Sequence, residues 1–137
     1  QWETRNFYND SNSTTQEATL AALIAFPAAS IVLIFGGADK GLPIDHMIKH
    51  IADNNIRGVL IEGTGSDRVF EKLPHLKTVG TMHDAVKTAI EISQPNDNIV
   101  LSPAFASFGV FKNEYDRSDQ FMLEVQNLIE GRATCSR

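Results

Sequence analysis

"SIVLIFGGADKG", residues 30–41, decides the fold. Its first half is an almost unbroken run of β-branched and aliphatic residues, and the run stops on paired glycines. A strand that is apolar on both faces belongs in the middle of a parallel sheet covered on each side, whereas a strand with one wet face would alternate. Two further runs of the same kind, "RGVLIEG" (57–63) and "NIVLSP" (98–103), are likewise bounded by Gly or Pro. "HLKTVG" (75–80) predicts a weaker strand, and "RNFY" (5–8) an edge strand.

Helical periodicity fills the intervals. Ile44, Met47, Ile48 and Ile51 make one apolar face, and Met82, Ala85, Val86, Ala89 and Ile90 make another. Residues 15–26 read as a helix stopped by Pro27. A short helix fits residues 67–73, and Phe121, Val125, Leu128 and Ile129 line a C-terminal one. Strands alternating with helices predict an α/β, three-layer Rossmann-like domain, with a mostly parallel sheet of about five or six strands flanked by helices. At 137 residues the chain suits a single domain, 1–137.

Composition narrows the partners. A 42% apolar and 21% charged chain is ordinary for a globular protein. Its net charge of −5 argues against a nucleic-acid surface. No apolar run approaches the roughly 20 residues of a membrane span. The single cysteine, Cys135, sits in a polar tail and predicts no internal disulfide. The opening "QWETRNFYND" has neither an initiator methionine nor a secretion-signal pattern, so a fragment of a longer, multidomain protein is expected.

In open α/β sheets ligands collect beyond the carboxyl ends of the strands. "GGADKG", "EGTGSD" and "SPAFASFGVFKN" all follow strands and are predicted to open onto one edge. "FGGADKG" (35–41) lacks the Walker spacing of a phosphate loop, and its Lys40 presents one cation, which suits a carboxylate or an isolated phosphate. The plainer alternative is a solvated turn lysine. "GTGSD" (63–67) lacks the third glycine of a dinucleotide fingerprint and reads as a turn with Ser66 as a helix N-cap. His46 and His50 share a helix face at i, i+4 with no third ligand arranged nearby, so no metal site is expected.

"NDSNSTTQEAT" (9–19) leads into the first helix. Thr14 with Glu17 fits a capping box. The run of polar side chains in front exceeds what one cap needs, and a helix N-terminus is also an anion site. "LSPAFASFGVFKNEYDR" (101–117) mixes Phe105 and Phe111, read as core, with Ser102, Ser107, Lys112, Asn113 and Arg117. Arg117 is a candidate for a structural ion pair.

Three motifs in this order, "NDSNSTTQEAT", "IFGGADKG" and "LSPAFASFGVFKNEYDR", resemble the C-terminal domain of the Mur ligases, of the D-glutamate-adding type. The resemblance runs from about Phe7 to Ile129. It implies ATP-dependent amide formation in the cytoplasmic stage of peptidoglycan synthesis, and with it cell wall biogenesis, cell shape and cell division. An acyl phosphate forms on UDP-N-acetylmuramoyl-L-alanine and the amine of D-glutamate attacks it. ATP and Mg2+ are bound by a central domain and the UDP-sugar by an N-terminal one, so the isolated chain is expected to be inactive and to hold no catalytic residue.

The resemblance places Thr14, Lys40, Ser107 and Phe108 at the D-glutamate carboxylates and Asp10 and Asn12 near the nucleotide. Lys112, Asn113, Tyr115 and Arg117 stay without an assigned role. Several positions depart from the family: Asn12 stands for a usual lysine, Ser13 for alanine, Gly109 for aspartate and Ser118 for glycine. Directly after "FKN", where an aromatic is common, Glu114 comes first and Tyr115 second. Asn12, Gly109, Ser118 and Glu114 favour the alternative of a non-catalytic Mur-like module kept for interaction or regulation. A generic nucleotide binder built on "GTGSD" is a third reading.

Overall fold

The computed structural model describes residues 4–107 and 111–135, the side chains of the last helix as far as residue 130. Phe108 and Gly109 therefore lie outside the described residues. Five parallel strands pair in the order β1-β5-β2-β3-β4, where β1 is Asn6–Asn9, β2 Ile31–Phe35, β3 Arg57–Ile61, β4 Lys77–Val79 and β5 Asn98–Leu101. Asn98 stands opposite both Asn6 and Ile31, and Val32 opposite Arg57, so the central strands start nearly level.

Every residue of β2 is buried, as its two-sided apolar sequence requires. Alternate residues divide between two cores. Leu33, Phe35, Leu60 and Val100 face helices α1 (Gln16–Ile24), α2 (Asp45–Asp53) and α3 (Thr64–Lys72) through Leu23, Met47, Ile51 and Val69. Val32, Ile34, Val59, Ile61, Ile99 and Leu101 face α4 (Met82–Ile92) and α5 (Glu114–Cys135) through Met82, Ala85, Val86, Ala89, Phe121 and Val125. Sheet and helices thus form three layers, the α/β Rossmann-like arrangement expected.

From β2 the chain steps outward to β3 and β4, then returns to place β5 on the other side of β2. The order reverses between β2 and β5. In open α/β sheets ligands bind at such a reversal, beyond the carboxyl ends of the strands.

Two helix starts differ from the sequence reading. The N-cap of α1 is Thr15, whose Oγ1 accepts from the Ala18 N–H at 3.3 Å, so Glu17 falls one position short of a capping box. That leaves the Thr14 hydroxyl outside the cap. Helix α3 begins at Thr64, earlier than expected, with Gly63 as its N-cap. Ser66 is not a cap: buried inside the first turn, its Oγ donates to the Ile61 carbonyl and accepts from the Gly37 N–H at 3.1 Å. Helix α2 has no side-chain cap of its own at Ile44, and buried Gln16 supplies one from α1 by accepting from the Met47 N–H at 3.3 Å.

Candidate functional site

The loop after β2 is fastened to its neighbours by backbone. Ala38 and Ala106 exchange N–H···O bonds of 2.9 and 3.3 Å, and the Gly65 N–H donates to the Gly37 carbonyl at 2.8 Å. Gly37 has φ 146°, and a Cβ there would run into the Ala106 carbonyl oxygen, so no larger residue fits. One step on, the Asp39 N–H donates to Thr64 Oγ1 at 2.9 Å. The Asp39 carboxylate accepts from the Gly41 N–H at 2.9 Å and from Arg68 Nη1 at 2.7 Å, and these donors, Gly41 foremost, hold its pKa below the ordinary value. With Asp39 committed to Arg68, Lys40 projects exposed. No carboxylate lies within ion-pair distance of it among the described residues.

A second loop, after β1, is fixed to the segment after β5. The Asp10 N–H continues the ladder to the Leu101 carbonyl at 2.7 Å, and the Ala104 N–H donates to the Ser13 carbonyl at 2.8 Å from a left-handed backbone, φ 68°. Ser13 Oγ and Ser102 Oγ both donate to Asp10 Oδ2, the latter at 2.8 Å. Asp10 Oδ1 keeps no hydrogen-bond partner among the described residues.

Arg117, from α5, joins both segments. It is 1% exposed, and it donates through Nε to Ser11 Oγ (3.2 Å), through Nη2 to the Ser11 carbonyl (2.8 Å) and through Nη1 to the Phe105 carbonyl (3.0 Å). The expected ion pair is not what it makes. Its partners are backbone carbonyls and a hydroxyl, which accept a planar fork without adding a second buried charge. Burial pushes its pKa down to about 10, against an opposing effect of Glu114.

These fastenings leave a pocket of about 490 Å³ lined by Asn12, Thr14, Lys40, Ala106, Ser107, Glu114 and Tyr115. Thr14, Lys40 and Ser107, far apart in sequence, therefore meet, together with Asn12 and Tyr115. Among the described residues, Asp10, Lys112, Asn113 and Arg117 do not line it. Asp10 is held by the serines. Asn113 caps α5, its Oδ1 accepting from the Asp116 N–H at 2.8 Å, while Asp116 Oδ2 accepts from the Lys112 N–H at 3.0 Å. Those contacts engage the backbone of Lys112 and leave its side chain exposed. Phe105 and Phe111 are buried core, as expected. Sequence reasoning did not place Glu114 in the lining; its only signal was its position in an otherwise familiar motif.

No family model matches the chain. It is 36% identical over 117 residues to the UDP-N-acetylmuramoylalanine–D-glutamate ligase of Aquifex aeolicus (strain VF5), covering 83% of this chain and 28% of that protein. The protein of the same name from Roseiflexus sp. (strain RS-1) is 39% identical over 128 residues, 88% of this chain and 27% of the relative. That of Pseudomonas fluorescens (strain Pf-5) is 39% identical over 128 residues, 89% of this chain and 28% of the relative. The chain belongs to the Mur ligase family. It spans just over a quarter of the length of these relatives and matches their C-terminal part.

Two departures from the Mur ligase pattern are absorbed locally: Ser13 donates to Asp10, and Ser118 Oγ accepts from Asn9 Nδ2 at 2.8 Å. The polar groups lining this pocket are one ammonium, two hydroxyls, an amide, a phenol and one carboxylate. Such a set fits a small ligand with carboxylates. It does not fit a magnesium–triphosphate, which needs several cationic or backbone donors and acidic metal ligands together.

Proposed function

We propose that this chain is the amino-acid-binding part of an ATP-dependent ligase that adds D-glutamate to UDP-N-acetylmuramoyl-L-alanine in cytoplasmic peptidoglycan synthesis. The observation that carries the reading is the meeting of Lys40, Thr14 and Ser107 in one pocket at the reversal of strand order. D-glutamate has two carboxylates, so its binding site needs two separated anion sites. Lys40 with the Thr14 hydroxyl supplies one, and Ser107 with neighbouring N–H groups supplies the other. Phe108, next in the motif, belongs to the same proposed site. Asp10, with Oδ1 open, and Asn12 face the nucleotide in the closed enzyme, where ATP and Mg2+ are held by parts outside this chain.

Ligation needs those parts, so the isolated chain is inactive. The pocket positions the amino acid and closes over the nucleotide. The test is Lys40→Ala in the full-length protein. Loss of a charge-assisted hydrogen bond, about 1.5–3 kcal/mol, raises the D-glutamate KM about 10- to 100-fold or abolishes ligation. Unchanged kinetics would overturn the assignment. Glu114 in the lining is the observation that favours the other reading, a non-catalytic module. D-glutamate-dependent release of phosphate from ATP by the full-length protein separates the two.

A further inference from the structure

Glu114 is the first residue of α5 and lines the pocket half-buried, beside Thr14, Lys40 and Ser107. Its place is fixed by the fold. The Ser11 hydroxyl donates to its carbonyl at 3.1 Å, and Arg117, in the same turn, is clamped to Ser11 and Phe105. Lys40 and Glu114 do not pair with each other: no ion pair joins them among the described residues. The pocket thus presents two opposite charges, each on a separate wall and neither neutralised by the other.

A carboxylate in a site for anions alone is repulsive to its ligand. An occupant that satisfies this lining carries a cationic group as well as anionic ones. We propose that Glu114 recognises the ammonium group of the incoming amino acid, while Lys40 and the Thr14 and Ser107 hydroxyls take its carboxylates. The inference rests on the ligase reading above and adds a specificity-determining residue to it. A monoaminodicarboxylate carries three ionised groups near neutral pH, and the lining then offers each a partner. The volume, about 490 Å³, is that of a small-molecule site.

A site that pairs the ammonium discriminates against a diacid that lacks it. Glutarate, which has the two carboxylates of glutamate and no amine, is the probe. In the full-length protein, titration calorimetry is expected to show D-glutamate bound at least about ten-fold tighter than glutarate. Glu114→Gln should weaken D-glutamate about ten-fold or more, leave glutarate equal or tighter, and so erase the preference. Glu114→Asp, which keeps the charge, should restore part of it. Tighter D-glutamate binding by E114Q would show Glu114 to be repulsive, and equal weakening of both ligands would show it to be merely structural. Either result overturns the proposal while leaving the ligase reading intact. If the wild-type protein binds neither ligand, or binds D-glutamate without dependence on Lys40, the ligase reading falls and this proposal with it.

Discussion

Arg117 sets the geometry of the site from within the core. Burying a guanidinium with no carboxylate in ion-pair contact among the described residues is costly, and it is tolerated here because its N–H groups meet the Ser11 carbonyl, the Phe105 carbonyl and the Ser11 hydroxyl, with the Glu114 carboxylate adding a favourable charge at longer range. Ser11 belongs to the loop that carries Asn12 and Thr14, and Phe105 to the segment that carries Ser107. One side chain thus holds two walls of the pocket to the helix that provides the third. Arg117→Met would leave both carbonyls buried without a donor and is expected to cost about 3 kcal/mol, read as a fall in the urea midpoint at unchanged m. Arg117→Lys retains the charge but not the fork and should lose about half as much. A change below about 0.5 kcal/mol in the methionine variant would show that the clamp is not structural. None of this was legible beforehand. The Ser11 and Phe105 carbonyls lie 106 and 12 residues away, and a backbone acceptor leaves no mark in the residue alphabet.

At the scale of elements, the strands could be read because each buried strand needs apolar residues on both faces, and β2, β3 and β5 have them. Loops following β2, β3 and β5 could be assigned to one edge because ligand-binding loops of an open α/β sheet follow the carboxyl ends of its strands, but Thr14, Lys40 and Ser107 could be named together only through the resemblance to the Mur ligases. Helix starts were less legible. "GTGSD" has the composition of a turn, yet tertiary contacts make it the first turn of α3: a Cβ at Gly65 would strike the Phe105 ring, and the Ser66 hydroxyl is taken up by Ile61 and Gly37. At α1 the sequence offers two adjacent threonines, and the backbone makes Thr15 the cap. That choice separates stability from binding. Thr15→Ala should cost about 1 kcal/mol of stability. Thr14→Ala should change stability by less than about 0.5 kcal/mol while weakening D-glutamate binding in the full-length protein. Thermal melts and ligand titration of the two variants check the split, and equal melting losses would put the cap back at Thr14. The inward place of Glu114 also belongs to this scale, since it follows from where α5 begins.

Across the whole molecule, the carboxyl ends of the strands carry the pocket and the amino ends carry a separate clamp. Arg57, which opens β3, donates to Asp97 Oδ2 at 2.7 Å, to the Ala29 carbonyl at 2.9 Å and to the Ile92 carbonyl at 3.1 Å. It therefore ties the entries of β2, β3 and β5 to the end of α4. Asp97 also accepts from the Gln94 N–H at 2.7 Å. Burial works to raise the Asp97 pKa, but Arg57 and the Gln94 N–H outweigh it, and the carboxyl titrates below its ordinary 3.8. A carboxyl with a depressed folded pKa adds stability that is complete above its unfolded value and disappears as pH falls through the folded one. The contribution should be flat from neutral pH to about pH 5 and fade below about pH 4. Asp97→Asn is expected to lose about 2 kcal/mol at pH 7, with the gap to wild type closing below about pH 3 as the native carboxyl is protonated. Urea midpoints across that range test this, and a gap that stays constant down to pH 3 would show that charge is not what Asp97 contributes. Because the clamp is at the opposite end of the sheet from Lys40, the same variant should bind D-glutamate in the full-length protein as wild type does while it remains folded.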